Sequence, residues 1–168
     1  MPDAAWLDAR ARGRIPDQGR RSRGPCVAIE CFEEIPCDPC HDACRRGAIR
    51  PFSQINHLPE VDFDVCNGCG ACIPACPGLA IFVVDETWKD DFAVVRLPYE
   101  FLPVPSPGDE VAGLDRSGQE RCAARVVKVE RSAKHDRTTV VWVEVPKSLS
   151  MEVRHIRVGG SGGGSREV

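Results

Sequence analysis

Residues 66–77 read Cys66-Asn67-Gly68-Cys69-Gly70-Ala71-Cys72-Ile73-Pro74-Ala75-Cys76-Pro77, which is C-x2-C-x2-C-x3-C-P. A C-x2-C step wraps a short loop so that two thiolates face one metal centre. Two such steps in series put three thiolates around one face of a cubane. The cysteine that follows after three residues has begun to turn away, so it serves a second centre. A cryptic repeat supplies that centre. Cys37, Cys40 and Cys44 stand 32 positions before Cys69, Cys72 and Cys76, and Ala48-Ile49 stand 32 positions before Ala80-Ile81. Where the second half has Cys66 the first half has Glu34, and its leading cysteine is Cys31, displaced by three inserted residues.

Ten cysteines in 168 residues are far above background, and nine of them fall between Cys26 and Cys76. Such density serves disulfides, zinc or iron–sulfur clusters. Met1 to Arg10 carry acidic and basic residues and no apolar core of a signal peptide, so a reducing, cytoplasmic setting is expected and disulfides are disfavoured. No apolar run approaches the ~18 residues of a membrane span. A net charge of −3 argues against nucleic acid as a partner. Zinc uses C-x2-C pairs, but seldom three thiols at the intervals of Cys66, Cys69 and Cys72.

The run from Cys66 to Pro77 resembles the bacterial two-cluster, 2[4Fe-4S] ferredoxin pattern, with Val61 to Asp64 as its lead-in. The resemblance implies one [4Fe-4S] cluster on Cys66, Cys69 and Cys72 with Cys44. It implies a second on Cys37, Cys40 and Cys76, completed by Cys31. Arg45 stands where that family has proline. Cys26 competes with Cys31 for the last position, but a C-x10-C reach from Cys26 to Cys37 leaves a long unsupported loop. The lead-in Glu34 to Cys37 and the segment Met151 to Val158 are similar to small ferredoxin-type proteins that serve FAD-dependent amino-acid or hydroxyproline dehydrogenases. That resemblance implies a flavoprotein dehydrogenase or oxidoreductase subunit as partner.

The expected fold is α+β: a ferredoxin-like two-cluster domain over residues 25–84, then a small antiparallel β-barrel or sandwich module over 92–158. In the first domain the order reads strand (Val27–Glu30), cluster loop, helix near His41–Arg46, strand (Ala48–Arg50). The second half repeats it, with a helix near Ile73–Cys76 and a strand from Leu79 to Val84. Strands are expected at Phe92–Leu97, Gly108–Asp115, Glu120–Glu130, Thr138–Val145 and Val153–Val158, with a helical turn at Lys147–Met151. Residues 1–24, with six arginines and three aspartates, read as a flexible basic arm, and residues 159–168 as a Gly/Ser-rich tail.

No nucleophile motif or phosphate loop appears, so no catalysis is expected of the chain alone. Cys122 reads as a small core residue. His41 reads as a solvated neighbour of the cysteine loop. His57, His135 and His155 have no metal-ligand spacing. The function expected is electron relay between two clusters and a partner; the alternative is a non-catalytic binding module stapled by structural zinc or clusters. Because every proposed ligand precedes residue 77, the clusters are expected to assemble without residues 92–158.

Overall fold

The computed structural model describes residues 13–135 and 138–159. The strands are β1 (Cys26–Ile29), β2 (Ile81–Asp85), β3 (Phe92–Tyr99), β4 (Glu110–Leu114), β5 (Glu120–Glu130), β6 (Thr139–Pro146) and β7 (His155–Val158). Two short α-helices, α1 (Gln18–Arg21) and α2 (Pro39–Ala43), and 3-10 turns at Ala133–His135 and Lys147–Leu149 complete the regular structure. Neighbouring strands pair antiparallel, and the seven form one sheet in the order β1-β2-β3-β6-β5-β4-β7.

The single sheet joins the two segments expected to be separate modules. β2 pairs with β3 through Val83–Arg96, Val84–Val95 and Asp85–Val94. The sheet has two buried faces. On one, Phe82, Val95, Leu97, Val126, Val141, Val143 and Val145 form a core closed by Val153 and Ile156. On the other, Val27, Ile29, Ile81, Val83 and Val140 pack with Trp142 under the cysteine segment. Side chains alternate along a strand. β1 and β2 are therefore near-continuous apolar runs, because both of their faces are covered.

Two side-chain networks lock the ends of the chain together. Glu30, just past β1, accepts hydrogen bonds from Arg154 Nε at 2.8 Å and from Arg116. Glu86, just past β2, accepts from Arg21 Nε of α1 at 2.8 Å and from Ser150 Oγ at 2.6 Å. Burial by itself would raise the Glu30 carboxyl; the Arg154 and Arg116 guanidiniums outweigh it and hold it below the usual range.

The basic arm expected over residues 1–24 is, from Gly13 on, part of the packed structure. Gly13 and Arg14 carbonyls accept from the Val61 and Ile29 amides, and Arg14 and Arg20 are buried. Asp17 caps α1 through the Arg20 amide at 2.7 Å. Residues 1–12 of that arm, and the Gly/Ser tail from residue 160, lie outside the described residues. The strand expected at Ala48–Arg50 is a single bridge, Ile49 to Val61; Pro51 follows and cannot donate to a longer ladder. The helix expected near Ile73–Cys76 is instead a run of turns over residues 71–75.

Candidate metal centre

The cysteine segment folds over β1 and β2 as two loops, and each loop encloses a cavity. Cys44, Cys66, Cys69 and Cys72 line the first, whose floor is Val27 and Val83. Cys31, Cys37, Cys40 and Cys76 line the second, whose floor is Ile29 and Ile81. Val27 pairs with Val83 and Ile29 with Ile81, so the two floors are alternate rows of one sheet face. Each half of the repeat lends its last cysteine to the other half's cavity, Cys44 to the first and Cys76 to the second.

Local chemistry fixes the loops. Gly68 and Gly70 have φ of 68° and 81°, conformations that L side chains adopt with strain. A Cβ on Gly68 would sit 2.6 Å from the Pro25 backbone, so the loop can lie against Pro25 only with glycine there. Asp38 and Pro39 start α2, which carries Cys40 and turns Cys44 away. The small apolar pairs seen in the repeat act through their amides: Ile49 N–H donates to Cys44 Sγ at 3.4 Å and Ala80 N–H to Cys76 Sγ at 3.5 Å. Such donors favour a thiolate.

Burial pushes the Cys40 thiol up to about 12, with Cys76 the next cause. The Cys72 thiol is pushed up further by burial, then by Cys66, Cys69 and Cys44. Cys31 and Cys37 are raised as well, first by burial. Four thiols that repel one another as anions in an apolar pocket suit a centre whose iron takes up that charge. Among the described residues no three His, Cys, Asp or Glu side chains converge closely enough for a single metal ion. Each set of four cysteines lines one pocket, and cysteine thiolates are the ligands that a [4Fe-4S] group takes.

The remaining candidates separate cleanly. Cys26 is fully buried in β1, lines neither cavity, and has its thiol raised to about 11 by burial. Cys122 packs against the core on the opposite sheet face. His41 Nδ1 lies 2.8 Å from the Ile49 carbonyl, tying α2 to the bridge segment. His57, given no role from sequence, lines the second cavity and bonds Ser53 through Nδ1. His155 stacks on Tyr99 at 5.7 Å, far from any thiol set in sequence or sheet order. Sequence reasoning missed Arg20. Its guanidinium donates to the carbonyls of Phe63, Gly24, Pro25 and Cys66 at 2.7–3.0 Å, clamping both sides of the loop that begins at Cys66. An RRSR run gives no sign of which arginine turns inward.

Comparison with known proteins agrees with this chemistry. The 4Fe-4S binding domain family matches residues 59–82, which hold the second cysteine run. A ferredoxin of Streptomyces griseus is 39% identical over 98 residues, covering 55% of this chain and 82% of that protein. The ferredoxin-type protein NapF of Haemophilus influenzae is 41% identical over 63 residues, covering 35% of this chain and 36% of NapF. A subunit of an ion-translocating oxidoreductase complex from Methanosarcina acetivorans is 37% identical over 68 residues, covering 40% of this chain and 23% of that protein. The chain thus spans only about a third of NapF and less of the oxidoreductase subunit. No solved structure matches. With its cysteine run inside the 4Fe-4S family and most of a ferredoxin's length matched, the chain belongs to the ferredoxins, iron–sulfur electron-transfer proteins of the [4Fe-4S] type.

Proposed function

We propose that this ferredoxin carries two [4Fe-4S] clusters and relays single electrons to or from a flavoprotein oxidoreductase. Cys66, Cys69, Cys72 and Cys44 hold one cluster; Cys31, Cys37, Cys40 and Cys76 hold the other. The observation that carries this reading is the exchange of Cys44 and Cys76 between the two cavities. A one-cluster protein has no use for a second ring of four thiols on the neighbouring row of the same sheet face.

A [4Fe-4S] cluster takes up and returns one electron. The chain's own contribution is to exclude water with Val27, Val83, Ile29 and Ile81, to donate amides to Cys44 and Cys76, and to keep Cys69 at the surface as the exposed ligand. An oxidoreductase partner is supported by the name of the Methanosarcina acetivorans relative. A flavoprotein is supported by the likeness of Glu34–Cys37 and Met151–Val158 to ferredoxin-type partners of FAD-dependent dehydrogenases. Iron and acid-labile sulfide on anaerobically purified protein test the cluster count: about eight of each per chain are expected from two cubanes. Four of each, or zinc without sulfide, would overturn it. Flavin absorbance in material co-purified from the native host tests the partner.

A further inference from the structure

One cross-strand row runs from the first cavity across the sheet. Val27 pairs with Val83, Val83 with Arg96, Arg96 with Trp142, and Trp142 with Lys128. The first two line the cavity of Cys44, Cys66, Cys69 and Cys72. The next three form a stack in which the Trp142 ring lies 3.7 Å from the Arg96 guanidinium and 4.6 Å from Lys128 Nζ. A register shift between Val126 and Lys128 brings Lys128 into that row.

Arg96 also reaches the cysteine loop. Its Nη1 donates to the Gly68 carbonyl at 2.7 Å and lies 3.6 Å from where a Cβ on Gly70 would stand. The guanidinium therefore covers the two residues that flank Cys69. Arg96 Nε and Trp142 Nε1 are buried with no hydrogen-bond partner. Leaving such donors unsatisfied when buried is costly, and the cost marks groups kept for another reason. Neighbouring carboxylates act on Arg96 by charge but hydrogen-bond elsewhere: Glu130 with Lys128 Nζ at 2.5 Å, Asp85 with Thr87 Oγ1 at 2.6 Å. Under the second cavity the floor is Ile29 and Ile81, and the arginine whose charge acts on its Cys31, Arg14, lies over Phe32 at 5.8 Å.

We propose that Arg96, held against Trp142, is a positioning residue that raises the reduction potential of the cluster bound by Cys44, Cys66, Cys69 and Cys72 and leaves the other cluster's potential unchanged. The proposal rests on the two-cluster reading above. A fixed cation beside a centre that gains an electron favours the reduced form, and a partly buried site screens it weakly.

Redox titration followed by electron paramagnetic resonance on the full chain tests it. The signal that Cys69→Ser removes identifies the cluster concerned. In Arg96→Gln the equilibrium constant for reducing that cluster should fall about tenfold, which is ~59 mV for one electron, while the other signal stays in place. Arg96→Lys should recover most of the shift, and Lys128→Gln, whose charge lies beyond Trp142, should have little effect. Iron and sulfide content should not change in any of these. If Arg96→Gln fails to retain clusters, Trp142→Leu decides: the same signal should move the same way by a smaller amount, and an unmoved signal overturns the proposal. Two wild-type signals with neither moved in Arg96→Gln, or both moved equally, overturn the role of Arg96 alone. A wild type with a single cluster overturns the two-cluster reading and this assignment with it.

Discussion

Residues 30–80 and residues 81–158 are held by different forces. The first stretch has one helix of five residues, one isolated bridge and a succession of turns. Its backbone hydrogen bonds are scattered through turns and loops and form no ladder, and the thiols it gathers cannot stabilise one another as anions. The second is a ladder of six strands in which β3 and β6 pair over eight residues, with valines on both faces. One region depends on what its cysteines bind, and the other on buried apolar surface, at about 25 cal/mol per Å². The dependence is not mutual. The sheet has its own core on the face away from the cysteines, whereas both cysteine cavities use the sheet as their floor.

The strongest test of that asymmetry is truncation after residue 91. It removes β3 and β6, leaves β2 with an unpaired edge, and strips Val140 and Trp142 from beneath the cysteine segment. It also deletes the Arg154 partner of Glu30. The 1–91 fragment should retain no iron and should be insoluble or unfolded by circular dichroism. Full iron content in that fragment would show that the cysteine segment folds independently after all.

Metal removal probes the other direction. Chelation of iron should release residues 30–80 to rapid amide exchange, because metal binding is folding free energy for such a segment. The amides of β3, β5 and β6 should stay protected. Cys69→Ser should do the same for one cavity, with about half the iron lost. Equal loss of protection in the strands would mean that the sheet is not self-sufficient.

Glu30→Gln breaks the link between the regions without touching a thiol. Glu30 and Arg154 side chains are only 8% and 3% exposed, so the variant leaves a buried guanidinium without its carboxylate. A loss of about 3–5 kcal/mol is expected in urea unfolding. The folded carboxyl sits below its unfolded value near 4.5. Its contribution is therefore complete above that value and is lost as pH falls through the folded value. The difference between wild type and Glu30→Gln should be flat from pH 8 to pH 5 and shrink only below about 4.5. A difference that grows on acidification would contradict the assignment.

Much of this arrangement is legible in the residues. The C-x2-C steps and the 32-residue offset point to two interleaved thiol sets, and Glu120–Glu130 is a strand with the boundaries its pattern indicates. What escapes is non-local. Nothing near Val27 or Val83 says that their strands continue into a sheet completed beyond residue 92, since pairing is chosen by the whole chain. The inward turn of Arg20 depends on carbonyls at Phe63 and Cys66, 43 and 46 residues away. Arg96 does leave a trace. It is a lone charge in the run Phe92–Tyr99, at a position whose alternation faces the cysteine segment. A charge there is costly unless a partner waits for it.

The smallest effect separates Cys26 from Cys31. Both precede Cys37, and the spacing favours Cys31 through its shorter reach. Strand alternation distinguishes them. Val27 and Ile29 face the cavities, and Cys31 continues their parity one step past β1, whereas Cys26 has the opposite parity. Cys26 is buried against β2 opposite Val84, its thiol kept protonated by burial. Cys26→Ala should therefore cost about 1 kcal/mol, as expected for a small cavity, with iron, sulfide and both paramagnetic signals unchanged. Cys31→Ser should leave the fold nearly as stable but alter only the signal that survives in Cys69→Ser. If Cys26→Ala instead removes that signal, strand parity has been overridden at the start of β1, and the last thiol of the second cavity reaches it by a different path of chain.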